Sequence, residues 1–447
     1  MSLSVSRILH AGYLFEHKET QILFDPIFEN PFSHNCYAYP NVQFDVDSIK
    51  KLKPSAIFIS HYHDDHCSFE SLNLINRQTP IYVYCINEEL VSLIKELGFK
   101  KVNSLDLNIP IQIGEFNIIP RAALDRDVDC LFQIQIDGLN ILNVVDSWID
   151  SDCLTKLSKF SPWDLVLWPF QTLKELDVIS PRQAMLADKK LPIEWLDQIQ
   201  TLNPKVIIPS SCQFIFEKWS WMNQAYFPIT YKQFEIDVLS RLPKTEVIKL
   251  DPSCSLVYEQ SSFKKSSPLS WVQPLGPQDL DYEYDQNLKP TAMSEIAKKF
   301  AALSETQNSL IRDYCSHDLL KIYSALEIPE DSYFSEPKVW NLATYDHLGI
   351  RSNSFYKIQG KLIEPIDGLE LSFDWLTEIP ISKILAALKG SETTNSIYIR
   401  INDFEESNQK LDPLQDPLLR CLYGQEFASY QKFQLKKIIS EELCDQA

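Results

Sequence analysis

An apolar run, Ala56 to Ile59, leads directly into the sequence SHYHDDH, so that His61, His63, Asp65 and His66 stand within six residues of one another after a strand. The chain holds 8 histidines, and 3 of them are in this loop. Two histidines at i and i+2 in an extended loop point the same way and can hold one cation. The Asp and His that follow, expected at the start of a helix, face a second cation a few ångströms away. The bland alternative is a polar surface loop that happens to be rich in histidine.

Composition removes several other chemistries. The 10 glycines stand at 12, 98, 114, 138, 276, 349, 360, 368, 390 and 424, so no two fall within one phosphate-cradling loop. Dinucleotide fingerprints, Walker loops, kinase Gly-rich loops and GxSxG elbows are all absent. Lys plus Arg at 42 against Asp plus Glu at 61 gives 42 − 61 = −19, which lacks the basic footprint of a nucleic-acid partner and points to a small-molecule substrate. No stretch approaches the roughly 18 consecutive apolar residues of a membrane span. The N-terminus alternates and carries Arg7, His10 and Glu16, so it reads as a strand and not as a signal peptide. The 10 cysteines are irregularly spaced with no CxxC pair, as expected of reduced thiols in a cytoplasmic protein.

Short β-rich runs alternate with helical stretches from residue 3 to about 258. The runs include residues 21–24, 56–59, 81–85, 131–136, 141–145, 165–167 and 206–208, and an amphipathic stretch covers 87–97. This rhythm predicts an α/β sheet sandwich with covering helices over residues 1–260. A Ser-, Pro-, Lys- and Asp-rich stretch, 261–290, reads as a linker, and 291–447 as a separate α+β domain. In that domain Met293, Ile296, Phe300 and Leu303 keep helical spacing, and residues 397–401 alternate like a strand. Ser382 can cap a helix that Gly390 ends, and Asp416 before Pro417 starts another.

Through SHYHDDH, residues 3 to about 258 resemble the metallo-β-lactamase superfamily. The resemblance also takes in ILFDPIF, with Asp25 at a strand end, HAGYLFE, with His10 and Gly12 in an opening strand, and ILNVVDSW, with Asp146 after a strand. It implies an αββα metallo-β-lactamase-like sandwich followed by the additional C-terminal α+β domain, and one or two divalent metal ions. His61, His63, Asp65 and His66 would be metal ligands, Asp146 would bridge, and Asp25 would support the loop by hydrogen bonds without touching metal. Asp65 and Asp146 are the catalytic candidates, Asp65 as a general base.

The departures from the family are as informative. Its third motif supplies a histidine where this chain reads PRAALDRDVDCLF, so Asp125, Asp127 or Asp129 could donate an oxygen instead, with Asp129 the chosen ligand. An oxygen donor hardens the site toward iron or manganese over zinc. The last motif's histidine is replaced at Ser211, beside Cys212, and Val145 stands before Asp146 where the family has glycine, expected to crowd the bridging carboxylate. The stretches VDCLFQIQIDGLNILNVVD and LNPKVIIPSSCQFIFE are similar to the lactamase-like region of CMP-N-acetylneuraminate hydroxylases. Those enzymes receive electrons from a Rieske cluster, which needs a CxH and a CxxH pair. Here Cys315 and His317 give only a CxH, so an oxygenase reading requires a separate electron-transfer partner.

His10, His34, Arg121, Arg126 and Cys212 are the substrate-contact candidates. His347 reads as a turn residue, and the aromatic run from Phe214 to Phe227 as core or a pocket wall. Three functions remain open: a metal-dependent hydrolase of an ester, lactone, amide or phosphodiester, an iron-dependent oxygenase, and an inactive binding protein on the same frame.

Overall fold

A computed structural model describes residues 2–171, 178–182, 188–222, 229–283, 290–329, 332–367, 372–404, 412–424 and 427–445. Two mixed sheets face each other. The first has eight strands in the order Ser262–Ser266, Ser255–Glu259, Leu3–Leu9 (β1), Gly12–His17 (β2), Thr20–Phe24 (β3), Ala56–Ile59, Ile81–Val83 and Val102–Ser104. Its pairs are antiparallel up to β3 and parallel beyond it. The second has seven strands in the order Glu246–Val247, Val206–Pro209, Leu165–Trp168, Leu139–Asn143, Cys130–Ile136, Phe116–Ala122 and Ile111–Ile113.

Strand alternation separates two apolar layers. Tyr13, Phe15, Ile22 and Phe24 join Phe132, Ile134, Leu165 and Ile208 between the sheets. Leu14, Leu23 and Ile57 belong to the other layer, with Phe69, Leu90 and Ile94 from the helices Phe69–Asn73 and Glu88–Glu96. Successive side chains of a strand point to opposite faces, so one apolar run serves both layers. The αββα architecture read from the sequence is the observed one.

The expected linker is not one. Residues 262–266 form the edge strand of the first sheet, Val272–Pro274 pairs with Val42–Phe44, and Asp281 accepts the Tyr231 N–H at the start of the helix Tyr231–Arg241. Polar composition misled because an edge strand buries only one side, as Phe263 does between half-buried Ser262 and exposed Lys264. Residues 284–289 of that stretch, and Tyr226 and Phe227, lie outside the described residues.

The C-terminal region builds a five-stranded sheet, ordered Leu362–Ile366, Arg351–Gln359, Lys338–Tyr345, Trp375–Pro380 and Arg400–Ile401. Its own core holds Trp340, Trp375, Tyr323, Ile384 and Leu418. Asp416 caps the helix Pro417–Tyr423 by accepting from Leu419 N at 2.9 Å. The helix over Ile381–Leu388 is entered from Pro380, with Ser382 inside its first turn and Gly390 left-handed beyond its end. Of residues 397–401, only Arg400–Ile401 is strand. Helical spacing from Met293 to Leu303 yields a short helix, Met293–Ala297.

A last helix, Ser429–Asp445, returns to the N-terminal sandwich and packs on Phe69–Asn73 and Glu88–Glu96. Met293, Ile296, Tyr345, Leu376, Leu435 and Ile438 join the outer apolar layer of the sandwich, so the two halves share one core.

Candidate metal centre

The loop SHYHDDH leaves the carboxyl end of Ala56–Ile59 and closes as a turn, His66 N and Cys67 N both donating to His63 O at 3.1 and 2.8 Å. Asp65 and His66 lie in this turn and not at a helix start, because the helix begins only at Phe69 behind its Ser68 cap. His61 and His66 are each 1% exposed, and His63 stands at the outer rim.

One carboxylate orders the loop. Asp25, fully buried, accepts from Ser60 N at 2.7 Å, from Ser60 Oγ at 2.7 Å and from His66 Nδ1 at 3.0 Å. Ser60 Oγ spends its proton on Asp25, so it accepts from His61 Nδ1 at 2.9 Å. Both rings therefore give their Nδ1 proton to these partners and turn Nε2 into the site, bare on His61 and, on His66, facing the Asp146 carboxylate that a cation would replace as its partner. Gly12 is required beside it, since a Cβ there would stand 2.8 Å from Asp25 O.

Two donor groups result. His61, His63 and Asp65 offer ligand atoms within 4.8 Å of one another, with His61 Nε2 and His63 Nδ1 3.0 Å apart. His10, Asp65, His66 and Asp146 form the second, where His66 Nε2 is 3.0 Å from Asp146 Oδ2 and 3.7 Å from Asp65 Oδ2. Asp129 stands beside the first group, with Oδ1 3.8 Å from His61 Nδ1 and Oδ2 accepting from Ser147 Oγ at 2.9 Å. Asp129 Oδ1 is buried without a hydrogen-bond partner. Asp127 N turns to Asp125 Oδ1, and both of those aspartates are exposed, so of the three Asp129 alone lies against the cluster.

Burial, and then the charge of Asp146, pushes the Asp129 carboxyl up to about 6. Burial also works against Asp65 and Asp146, but the charge of His66 overcomes it and holds both below the usual carboxylate range. Burial followed by the His66 charge pushes His61 down to about 4, while His66 is raised well above its ordinary value because Asp146 and Asp65 outweigh its burial. Buried like charges in this density are costly unless a metal compensates them, and the orphaned Asp129 oxygen fits that use.

The other candidates are placed elsewhere or differently. Arg121 spends its guanidinium on Gln133 Oε1 and Asn108 Oδ1, and Arg126 on Asp150 at 2.8 Å, so neither faces the loop. Arg121 stands in the strand Phe116–Ala122, and Arg126 is exposed in the turn that follows. His34, exposed, packs edge-on to Tyr430 at 5.5 Å. Cys212, fully buried, presents its backbone N–H to His10, and burial raises its thiol well above the ordinary value. Val145 does not crowd Asp146: its side chain lies in the core between the sheets, and the cost falls on its backbone, at φ 63°. His347 follows a strand in a turn, and Cys315 and His317 lie in a single π-helical turn, Tyr314–Asp318.

Residues outside every sequence motif complete the site. Gln431, buried on the last helix, donates to Tyr62 O at 2.7 Å and Cys67 O at 3.0 Å. Gln434, one turn on, accepts from Phe69 N at 2.8 Å. Over the loop a cavity of about 570 Å³ is lined by Tyr62, His63 and Asp64 on one side and by Thr393, Tyr423 and Tyr430 on the other.

Two facing sheets with helices outside and a His/Asp cluster at the strand ends define an αββα metal-site sandwich. Residues 4–211 match the model of the beta-lactamase superfamily domain, so this part of the chain carries a metallo-β-lactamase-like fold. Among solved structures it is similar to Igni18, a metallo hydrolase from the archaeon Ignicoccus hospitalis, at 17% identity and TM-score 0.40, covering 58% of this chain and 99% of that one. It is also similar to CmlA, a diiron β-hydroxylase from Streptomyces venezuelae, at 16% identity and TM-score 0.38, covering 58% and 54%. A third, the isothiocyanate hydrolase from Delia radicum gut bacteria, has 12% identity and TM-score 0.42, covering 57% and 99%. No curated protein matches the sequence. Among the described residues no helix is long and apolar enough to cross a membrane.

Proposed function

We propose that this chain is a metal-dependent hydrolase of a small molecule carrying an ester, lactone, amide or phosphodiester bond. The observation that carries the reading is the approach of His66 Nε2 and Asp146 Oδ2 to 3.0 Å, with His61, His63 and Asp65 in the adjoining donor group. His61 and His63 would hold one cation, Asp65 and His66 a second, and Asp146 would stand between them. A divalent cation in such a set lowers the pKa of a bound water from 15.7 to about 7 and polarises a carbonyl or phosphoryl oxygen. The chain's residues do the rest: Asp25 and Ser60 hold the ring tautomers, and the cavity wall of Tyr62, Tyr423 and Tyr430 keeps the substrate over the loop. Asp65 serves as a ligand more readily than as a base, since it is held well below the usual carboxylate range.

The second reading, an iron-dependent oxygenase fed by a separate electron-transfer protein, is favoured by one observation: Asp129 Oδ1, buried without a hydrogen-bond partner, lies 3.8 Å from the His61 ring, and a carboxylate donor there would suit iron or manganese. A cytoplasmic setting agrees with either reading. Metal analysis of protein purified without added metal separates them. One or two zinc ions per chain together with turnover of model esters or phosphodiesters supports the hydrolase. Iron with an oxygen-dependent change in the absorption spectrum overturns it.

A further inference from the structure

We propose that His10 is a positioning residue and not a cation ligand: a neutral ring whose Nε2–H holds Asp65, itself held by the turn that replaces the superfamily's last-motif histidine. The proposal rests on the metal-site reading above and deepens it.

The geometry treats His10 differently from the other rings. His61 and His66 give their Nδ1 protons to Ser60 and Asp25, which leaves Nε2 as the nitrogen each can offer a cation. His10 Nδ1 instead faces the backbone N–H of Cys212 at 2.9 Å. A backbone N–H only donates, so Nδ1 must accept, and the ring's one proton is on Nε2. That Nε2–H lies 3.2 Å from Asp65 Oδ2 and 3.9 Å from Asp146 Oδ2. Nε2 is also 3.2 Å from His66 Nε2, close enough to belong to the same cluster by distance alone. By hydrogen-bond chemistry it does not belong, because a nitrogen that carries a proton has no lone pair for a metal.

The tautomer is difficult to reverse. His10 is fully buried, with a left-handed backbone at φ 51°, and Cys212 is left-handed at φ 63°. Arg7, buried beside them, donates to His10 O at 2.8 Å, to Ser210 O at 2.6 Å and to Pro209 O at 3.0 Å. Tyr13 Oη and Ser210 Oγ are 2.8 Å apart. Phe32 and Phe214 pack on the ring, each 5.6 Å away. The stretch Pro209–Cys212, where the family places a ligand, thus supplies the N–H that sets the ring. Among the described residues the second subsite is left with Asp65, His66 and Asp146 as its protein donors, fewer than a closed structural site carries and suited to an incoming oxygen ligand.

Nitrogen-15 NMR of the histidine rings, on protein loaded with cadmium-113, tests this directly. The expected result is a His10 ring with an unprotonated Nδ1 and a protonated Nε2 uncoupled to cadmium, while His61, His63 and His66 each show one cadmium-coupled nitrogen. Its signal is assigned through the hydrogen bond to the Cys212 amide, which needs no variant, and by its loss in His10→Gln. Cadmium coupling at His10 Nε2, or a proton on His10 Nδ1, overturns the proposal. If no histidine couples to cadmium the metal reading fails, and the His10 ring pattern, visible with or without metal, still decides the tautomer. In metal titrations His10→Gln should keep the wild-type number of bound equivalents with an affinity loss of about 10-fold, the usual cost of removing a ligand's hydrogen-bond partner. Loss of a whole equivalent would also overturn it.

Discussion

Single residues at the site take backbone conformations that side chains resist. His10, Asp25, Ser33, His34, Val145 and Cys212 all have φ between 39° and 67°. For a β-branched residue such as Val145 this is a real outlier, of order 1–3 kcal/mol, and it persists because the surroundings over-determine it. A chain with 10 glycines has placed none at these turns. Asp25 is the residue most open to test. Asp25→Asn keeps the shape but can no longer accept from Ser60 and His66 together. Affinity for zinc should fall about 10- to 100-fold, measured against a competing chelator. The pH dependence follows from His66, raised above its ordinary value by Asp146 and Asp65 despite its burial. Protonated His66 stabilises the metal-free fold fully below the unfolded value of about 6.5, and that contribution is lost as pH rises through the folded value. A cation must displace that proton, so affinity should rise with pH above 6.5, with proton release seen by calorimetry in buffers of different ionisation enthalpy. Affinity independent of pH there would remove His66 from the ligand set.

At the scale of elements, the local signals were legible and the distant ones were not. SHYHDDH could be read because four functional side chains share one loop, and Asp25 and Asp146 because each ends a strand in a recognisable order. Asp129 was narrowed to one of three aspartates, and only the fold distinguishes it, by leaving Asp125 and Asp127 in solvent. Residues 261–290 read as a linker because an edge strand is half polar. Nothing near Gln431 or Gln434 announces that they hold a loop more than 360 residues away. The pair Gln431→Leu, Gln434→Leu leaves Tyr62 O, Cys67 O and Phe69 N without these partners. Each buried unsatisfied group costs on the order of 1–3 kcal/mol. The double variant should therefore show a lower thermal midpoint and weaker metal binding while keeping its far-ultraviolet circular dichroism. An unchanged metal affinity would mean that the last helix only covers the loop.

For the whole molecule, the shared core decides how the halves behave. Domain interfaces within a chain are ordinarily small and polar and allow motion. Here Met293, Tyr345, Leu376, Leu435 and Ile438 enter the same apolar layer as Leu90 and Ile94. Thermal unfolding of the full chain should therefore be a single transition, with tryptophan fluorescence and near-ultraviolet dichroism coincident. Two separated transitions would show that the sandwich and the C-terminal sheet are independent. The C-terminal region is in this sense the far wall of the cavity, and its removal would open the half-buried Tyr62 and Asp64 to solvent.

The Gln431 bonds to Tyr62 and Cys67 also impose an order in time. The loop leaves the ribosome early, but its last hydrogen-bond partner is made 364 residues after Cys67. At a synthesis rate of about 5–20 residues per second, roughly 20–70 s separate the two. Throughout that interval the histidines are present while the helix that holds their loop is still untranslated, so the site is completed only once that helix has been made. A truncated or stalled chain carries the ligands without the clasp.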